Sequence, residues 1–190
     1  LFALGMIKVV SEMKIPVTAL GNNMLIHKKA YLDAGGYESL PFSITEDFVL
    51  FRAITKKGWQ FKNLFNIAVL AQSKPINTII ELLHQRKRWM KGAMQLPFIL
   101  VSLLFVQALF YPVIVTGLVI GLLTLKGFVI LSICKIFLQW LFITFLLKKI
   151  NSLYLTKYLL IYEGYSSILW ITLMIFYFLP FKIRWKGRKY

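Results

Sequence analysis

The pattern of hydrophobic and polar positions changes near Pro97. Before this residue, apolar positions occur in short runs with charged residues between them, as is typical of a folded polar domain. After it, long uncharged runs are broken by single lysines, and residues 98–125 contain no charged side chain. Because about 20 apolar residues suffice to cross the core of a bilayer, we expect a polar domain over residues 1–97 and transmembrane helices over residues 98–181.

The membrane region is predicted to contain three helices, at about residues 98–125, 127–147 and 158–180. A helical hairpin turning near Pro112 would give four spans, but it would leave polar backbone groups in the lipid, so we favour three. The tail, residues 182–190, is strongly basic. Three spans put this tail on the membrane face opposite the polar domain, although the positive-inside rule favours the cytoplasmic face.

The polar domain is predicted to alternate short strands and helices. Residues 16–24 are expected to form a strand that leads into a turn, and residues 59–70, rich in aromatic and β-branched side chains, to form one or two strands. Helices are expected at residues 27–34, which two glycines follow, and from an N-cap at Thr45 to Gly58. The predicted fold class is therefore α/β for this domain, followed by an all-α transmembrane region.

A longer helix is predicted at about residues 76–96, immediately before the first span. Asn77 or Thr78 is its expected N-cap, and Glu81 lies three residues after Thr78, as in a capping box. The rest of this helix combines apolar and basic residues. A basic amphipathic helix beside a membrane span typically lies in the plane of the membrane surface.

Composition and charge narrow the class of protein. The chain of 190 residues is 58% hydrophobic, with a net charge of +16 and a mean hydropathy of +0.70. The basic residues flank apolar spans, where they attract anionic lipid headgroups, rather than cluster with exposed aromatics. Membrane lipids, and no nucleic acid, are therefore the expected partners. The single cysteine, Cys134, lies in an apolar run, which excludes an internal disulfide framework and a cysteine metal cluster.

Three local patterns stand in order in the polar domain. The first is Gly-Asn-Asn-Met at residues 21–24 with Gly-Gly-Tyr at 35–37, the second is Thr-Glu-Asp at 45–47, and the third is Gln-Arg-Lys-Arg-Trp at 85–89. The combination resembles the catalytic-domain end of the inverting family-two glycosyltransferases, the group that includes cellulose, chitin and hyaluronan synthases and ceramide glucosyltransferase. The resemblance covers about residues 16–97. It implies that this region is the C-terminal part of a nucleotide-sugar glycosyltransferase domain.

The resemblance implies that Asp47 is the catalytic base and that the adjacent Glu46 orients the site. An inverting transfer needs a base, because the attacking acceptor hydroxyl must lose its proton and a positioned carboxylate can take it. Taken alone, two acidic residues at a helix N-terminus are also explained by the helix dipole.

The resemblance also implies that Gln85 and Arg88 contact the nucleotide diphosphate and that Trp89 stacks on the acceptor. An arginine offers a rigid fork of donors to a diphosphate, which gains negative charge as it leaves. On the residues alone, the same pattern also describes a basic interfacial helix with a snorkelling tryptophan. One further set is expected either to contact the acceptor or to form a simple turn: Gly21, Asn22 and Asn23.

Further expectations follow from the same resemblance. The donor is a nucleotide sugar of the UDP type, the acceptor is a lipid or a glycan, and a divalent metal, Mg or Mn, assists. The nucleotide-binding half and its metal ligands are expected upstream of this chain, so the fragment alone should be inactive. The catalytic part should face the cytoplasm, where nucleotide sugars occur. The alternative is a non-catalytic membrane transporter or scaffold subunit, for which Lys135 and Glu163 are the ionisable candidates within the spans.

Overall fold

The structure, a computed structural model, describes residues 2–185 and 187–190. The chain forms two compact units, Leu1–Pro75 and Ile76–Tyr190. Helical segments account for 64% of the chain. The composition of the chain changes near residue 97. The division into a polar domain before that residue and a membrane region after it stays a prediction.

The first unit is built from short helices joined by irregular segments. Its elements are α1 (Phe2–Glu12), α2 (Lys28–Asp33), α3 (Glu46–Lys56) and the 3₁₀ helices Tyr37–Ser39 and Ile67–Val69. Helix α3 turns Phe48, Leu50 and Phe51 inward, and the ring of Phe51 packs edge-on against Phe61 at a centroid distance of 5.2 Å. Burial of this apolar face against the chain that follows stabilises α3.

The predicted helix ends in this unit are confirmed. Gly35 and Gly36 follow α2 with φ angles of +84° and +64°, and Gly58 follows α3 with φ of +87°. Glycine adopts this left-handed conformation without the steric cost that a Cβ atom brings. Thr45 occupies the N-cap position of α3, but its hydroxyl makes no capping hydrogen bond, because it contacts the hydroxyl of Ser43 at 3.1 Å.

The prediction of strands in the polar domain is not confirmed. Residues 16–24 and 59–70 contain no strand, and part of the second segment forms the 3₁₀ helix Ile67–Val69. A strand requires backbone pairing with a neighbour, and no such pairing occurs within the described part of residues 1–75. The α/β class is therefore not confirmed, and the sheet in the described residues is a two-stranded ribbon in the tail.

The second unit contains the long helices. Its elements are α4 (Ile79–Ala93), α5 (Phe98–Val119), α6 (Leu125–Lys149), the 3₁₀ helix Leu153–Tyr158, α7 (Leu159–Phe178), β1 (Arg184–Trp185) and β2 (Arg188–Lys189). Three segments are long and apolar enough to cross a membrane, namely α5, α6 and the segment Leu153–Phe178. Helix α5 continues through Pro112, so the structure has no hairpin there.

Polar contacts fix the directions of the three long helices. Gln107 of α5 donates to Gln139 of α6 at 3.2 Å, and Tyr111 lies one turn further along α5, beside Lys135 of α6. Residues later in α5 therefore face residues earlier in α6, so the two helices are antiparallel. The hydroxyl of Tyr111 also donates to Glu163, near the start of α7, at 2.9 Å.

The other end of α7 lies beside α4. The ammonium group of Lys87 in α4 donates to the carbonyls of Phe176, Leu179 and Phe181. Because α4 directly precedes α5, the end of α7 lies near the start of α5, and α7 is antiparallel to α5. The tail therefore lies at the same end of the helices as α4. The expectation that three spans put the tail at the opposite end is wrong.

This arrangement requires the connection between α6 and α7 to run back along α6, because both helices point towards the α4 end. Thr156 and Lys157 of this connection border a cavity together with Trp140 and Ile143 of α6. Those two residues lie six and nine positions before the end of α6, about 9–14 Å along its axis. The connection therefore returns part of the way along the helix before α7 begins.

Candidate active site

Asp47 is held between a turn and the start of a helix. It lies in the first turn of α3, where its Oδ1 accepts a hydrogen bond from the backbone N–H of Phe48 at 2.9 Å. Its Oδ2 accepts from the backbone N–H of Gly21 at 2.9 Å. The structure thus joins two of the residues proposed from sequence, which are 26 positions apart. The two contacts fix the orientation of the carboxylate.

The approach of Gly21 to Asp47 leaves little room for a side chain at position 21. A Cβ atom on Gly21 would lie 3.1 Å from both the Cβ and the Oδ2 of Asp47. Such distances are tighter than ordinary van der Waals contact, so either the turn or the aspartate would have to shift. Close packing against Asp47 therefore favours glycine at position 21 and adds a reason for Gly21 beyond a simple turn.

The other two residues of the predicted loop, Asn22 and Asn23, differ in their contacts. The side-chain amide of Asn23 donates to the carbonyl of Val69 at 2.9 Å, which ties the turn to the end of the 3₁₀ helix Ile67–Val69. Asn22 is exposed beside it. Asn23 is thus used for structure, whereas Asn22 is open to a ligand.

The pKa of Tyr37, which follows the Gly-Gly pair, depends on the charge of the site. Its pKa is raised first by partial burial and then by the negative charges of Glu46 and Asp47. The phenol of Tyr37 is therefore near both carboxylates and stays protonated at neutral pH. Glu46 itself is exposed at the start of α3. The sequence pattern contained Tyr37 but assigned it no role.

The third motif lies on α4, in the second unit. Thr78 caps this helix, since its hydroxyl accepts from the backbone N–H of Glu81 at 3.2 Å, as the sequence predicted. Residues three and four positions apart share a helix face, so Gln85, Arg88 and Trp89 lie on one side of α4. Gln85 is half-buried.

Trp89 and Arg88 have aromatic and cationic neighbours. Trp89 is 43% exposed, and the guanidinium of Arg86 lies over its ring, 4.6 Å from the centroid. The guanidinium of Arg88 lies 3.8 Å from the ring centroid of Trp185 in β1. Contacts of this kind orient an arginine side chain. Trp89 therefore has Arg86 over its ring and remains partly exposed to solvent.

Two further residues of α4, Lys87 and His84, make contacts that the sequence patterns did not indicate. Lys87 is only 5% exposed, and three carbonyls accept its three N–H groups at 3.1, 2.7 and 3.1 Å. The Nδ1 of His84 accepts from the backbone N–H of Arg184 at 3.4 Å. This contact gives His84 a structural role. Together they attach α4 to the end of α7 and to the tail.

A second polar cluster joins the three long helices. Glu163 is 5% exposed, pairs with Lys135 and accepts hydrogen bonds from Gln139 and from Tyr111. The sequence named Lys135 and Glu163 as candidate partners within the spans, and the structure confirms that they meet. No sequence pattern could have revealed the other two partners of Glu163, which are Gln139 and Tyr111.

The described residues do not form a metal site. No group of three or more His, Cys, Asp or Glu side chains lies close enough within them to hold a metal ion. Cys134 is exposed on α6.

Comparison with known proteins identifies the family. Residues 7–190 match Glycosyl transferase family 21. No curated protein and no solved structure shows significant similarity to the chain. The match confirms the predicted class, a glycosyltransferase, but the matching family is family 21 rather than family two. Membership implies a sugar donor and an acceptor in general. The matched region includes the Thr-Glu-Asp and Gln-Arg-Lys-Arg-Trp motifs and all three long helices, and the chain belongs to glycosyltransferase family 21.

Proposed function

We propose that this chain carries the acceptor-activating part of a membrane-bound inverting glycosyltransferase. The enzyme transfers a sugar from a nucleotide sugar, of the UDP type, to a lipid or glycan acceptor at the cytoplasmic face. Residues 1–97 belong to the catalytic domain, and α5 to α7 anchor it in the membrane. The observation that carries the proposal is the contact between Asp47 and Gly21, which holds the carboxylate in a defined orientation.

Asp47 acts as the general base. An acceptor hydroxyl attacks the anomeric carbon of the donor, its proton passes to the carboxylate of Asp47, and the bond from that carbon to the diphosphate oxygen breaks. The nucleoside diphosphate leaves with the bonding electron pair. The N-terminus of α3 and the N–H of Gly21 hold the carboxylate in place, and Glu46 and Tyr37 complete the polar surroundings.

One face of α4 binds both the donor and the acceptor. Arg88 and Gln85 bind the diphosphate as it gains charge, because a guanidinium offers two parallel donors to phosphate oxygens. The partly exposed Trp89 stacks on the acceptor. The exposed Asn22 contacts the acceptor from the other motif.

A divalent metal, Mg or Mn, belongs to the proposal as a partner of the diphosphate. The described residues form no metal site, so no metal ligand is assigned in this chain and no step depends on one. The alternative function, a transporter or scaffold, has one supporting observation, the Lys135–Glu163 pair. Its partners on α5 and α6 explain that pair as a contact between helices, and the family match favours transfer chemistry.

The test is Asp47→Asn in the active membrane enzyme. Loss of a general base should lower turnover roughly 10²–10⁴-fold, while the affinity for the nucleotide sugar stays close to that of the wild type. Turnover is measured with a radiolabelled donor, and donor affinity by equilibrium binding. The matched control is Glu12→Gln, which removes an exposed carboxylate on α1. Near-normal turnover of Asp47→Asn would show that another residue is the base.

A further inference from the structure

The cavity beside the α6–α7 connection is lined by apolar residues and by two charged ones. It measures about 220 Å³ and lies between α6, the 3₁₀ helix Leu153–Tyr158 and the start of α7. Its apolar lining includes Ile136, Trp140 and Leu160, and its charged residues are Lys157 and Glu163. In an inserted protein the cavity opens on lipid, because α6 and α7 are apolar over this region. An acyl chain is the abundant molecule that fits such walls.

The positive charge at this end of α6 has no carboxylate partner among the described residues. Residues 148–162 contain three lysines, at 148, 149 and 157, and no acidic residue. Lys157 has no carboxylate within ion-pair distance among the described residues, and its ammonium lies 5.1 Å from the ring centroid of Tyr158. A lysine part of the way into a membrane needs an anion, and a lipid phosphate at the interface provides one.

Glu163 does not neutralise Lys157. It borders the same cavity, but its carboxylate is occupied by Lys135, Tyr111 and Gln139. The cavity therefore has one charge that is compensated within the protein, at Glu163, and one positive charge without a carboxylate partner among the described residues, at Lys157. Such a lining matches a molecule with an apolar chain and an anionic head.

We propose that this cavity binds one anionic phospholipid of the membrane, with an acyl chain against Ile136, Trp140 and Leu160 and its phosphate at Lys157. Lys148 and Lys149 add positive charge at the same end of α6. The α4 end of the helices faces the cytoplasm in the proposed function, and the cytoplasmic leaflet is the one rich in anionic lipids. The inference requires that α5 to α7 are inserted in a membrane, but it does not require transferase activity.

The test uses the whole chain in phosphatidylcholine vesicles that contain a minor fraction of a photoactivatable lipid. A phosphatidylglycerol probe should crosslink mainly to peptides containing Trp140 or Leu160, and a phosphatidylcholine probe much less. Lys157→Gln should reduce the phosphatidylglycerol yield about fivefold, as expected for one lysine near a charged membrane surface. The matched control is Lys126→Gln, which makes the same charge change at the other end of α6 and should leave the yield unchanged.

A second variant tests the cavity independently of charge. Ile136→Trp fills the apolar part and should reduce crosslinking by both lipid probes at this position. Thermal unfolding in detergent shows whether each variant is folded. Equal yields for the two probes, crosslinks spread evenly over α5 to α7, or equal yields for Lys157→Gln and Lys126→Gln would each overturn the proposal. Because no sugar transfer is measured, failure here is distinguishable from failure of the proposed function.

Discussion

Gly21 lies so close to Asp47 that a side chain at position 21 would press against the aspartate. The nearest atoms would be 3.1 Å from an added Cβ, so Gly21→Ala should displace Asp47. A misplacement of this kind can cost up to about 10²-fold in turnover, and we expect such a loss in kcat with little change in donor affinity. Steady-state kinetics separates the two effects.

The matched control for this substitution is Gly164→Ala. Gly164 is a helical glycine in α7 with nothing within 4 Å of an added Cβ. It should leave kcat unchanged. If Gly21→Ala has wild-type kinetics, the contact with Gly21 does not position the residue that limits turnover.

The contact between Gly21 and Asp47 could not be predicted from the sequence. Both residues were selected on motif patterns, but their distance depends on the course of the 25 residues between them, which includes α2 and a 3₁₀ helix. The same limit applies to Lys87. A lysine between two arginines is typical of a solvated basic helix, and only the fold shows that three carbonyls surround it.

Helix α4 is attached to the end of α7 by Lys87. Lys87→Met keeps the length of the side chain but leaves three carbonyls without their donor. Hydrogen bonds to a charged group contribute about 1.5–3 kcal/mol each, so the free energy of unfolding should fall by at least about 2 kcal/mol. Thermal unfolding of the purified chain in detergent measures this change.

The control for Lys87→Met is Lys91→Met, which changes an exposed lysine one turn further along α4. It should leave the midpoint of unfolding unchanged. If the two variants unfold at the same temperature, the hydrogen bonds of Lys87 do not contribute to the stability of this attachment.

The contact of α4 with the tail should depend on pH. Burial, with the positive charges of Arg184 and Lys87, lowers the pKa of His84 below its ordinary value of 6.5, so the folded chain holds a neutral imidazole whose Nδ1 accepts a hydrogen bond. Below pH 6.5 the unfolded chain binds a proton that the folded chain resists. The stability is therefore full above pH 6.5 and decreases as the pH falls through that value.

The measurement compares unfolding midpoints at pH 7.5 and 5.5, values chosen about one unit either side of the ordinary histidine pKa. The unfolding midpoint of the wild type should fall on acidification. In His84→Gln most of this fall should be absent, because glutamine does not titrate. His27→Gln, at the N-cap of α2, serves as the control and should retain the fall. A wild-type fall that survives in His84→Gln would assign the pH dependence to other groups.

Local elements were predictable where local chemistry decides them. The cap at Thr78, the glycines after α2 and α3, and the three long apolar segments follow from residues next to one another in sequence. The two predicted strands were not found, because pairing depends on partners distant in sequence. The hydrophobic pattern of residues 59–70 is compatible with an extended segment that packs on α3 through Phe61 and remains unpaired.

For the whole molecule, hydropathy predicted the number of long helices but not the position of the tail. Counting spans assumes that each segment crosses in the direction opposite to the one before. Here the connection at residues 150–158 returns along α6 first, so α6 and α7 both point to the α4 end. The basic tail and α4 then lie together, which agrees with the positive-inside rule without a fourth long helix.

Cysteine labelling tests this topology in sealed cells. In a Cys134→Ser background, Tyr190→Cys should be protected from a membrane-impermeant maleimide until the cells are permeabilised, because the tail lies on the side of α4, which the proposed function puts in the cytoplasm. Leu122→Cys, in the exposed turn between α5 and α6, should be labelled in intact cells. Labelling of Tyr190→Cys from outside, with Leu122→Cys also labelled, would contradict the antiparallel arrangement of α5 and α7. It would also mean that the hydrogen bonds of Lys87 to the end of α7 do not form in the membrane, since a single short side chain cannot join groups on opposite faces of a bilayer core about 30 Å thick.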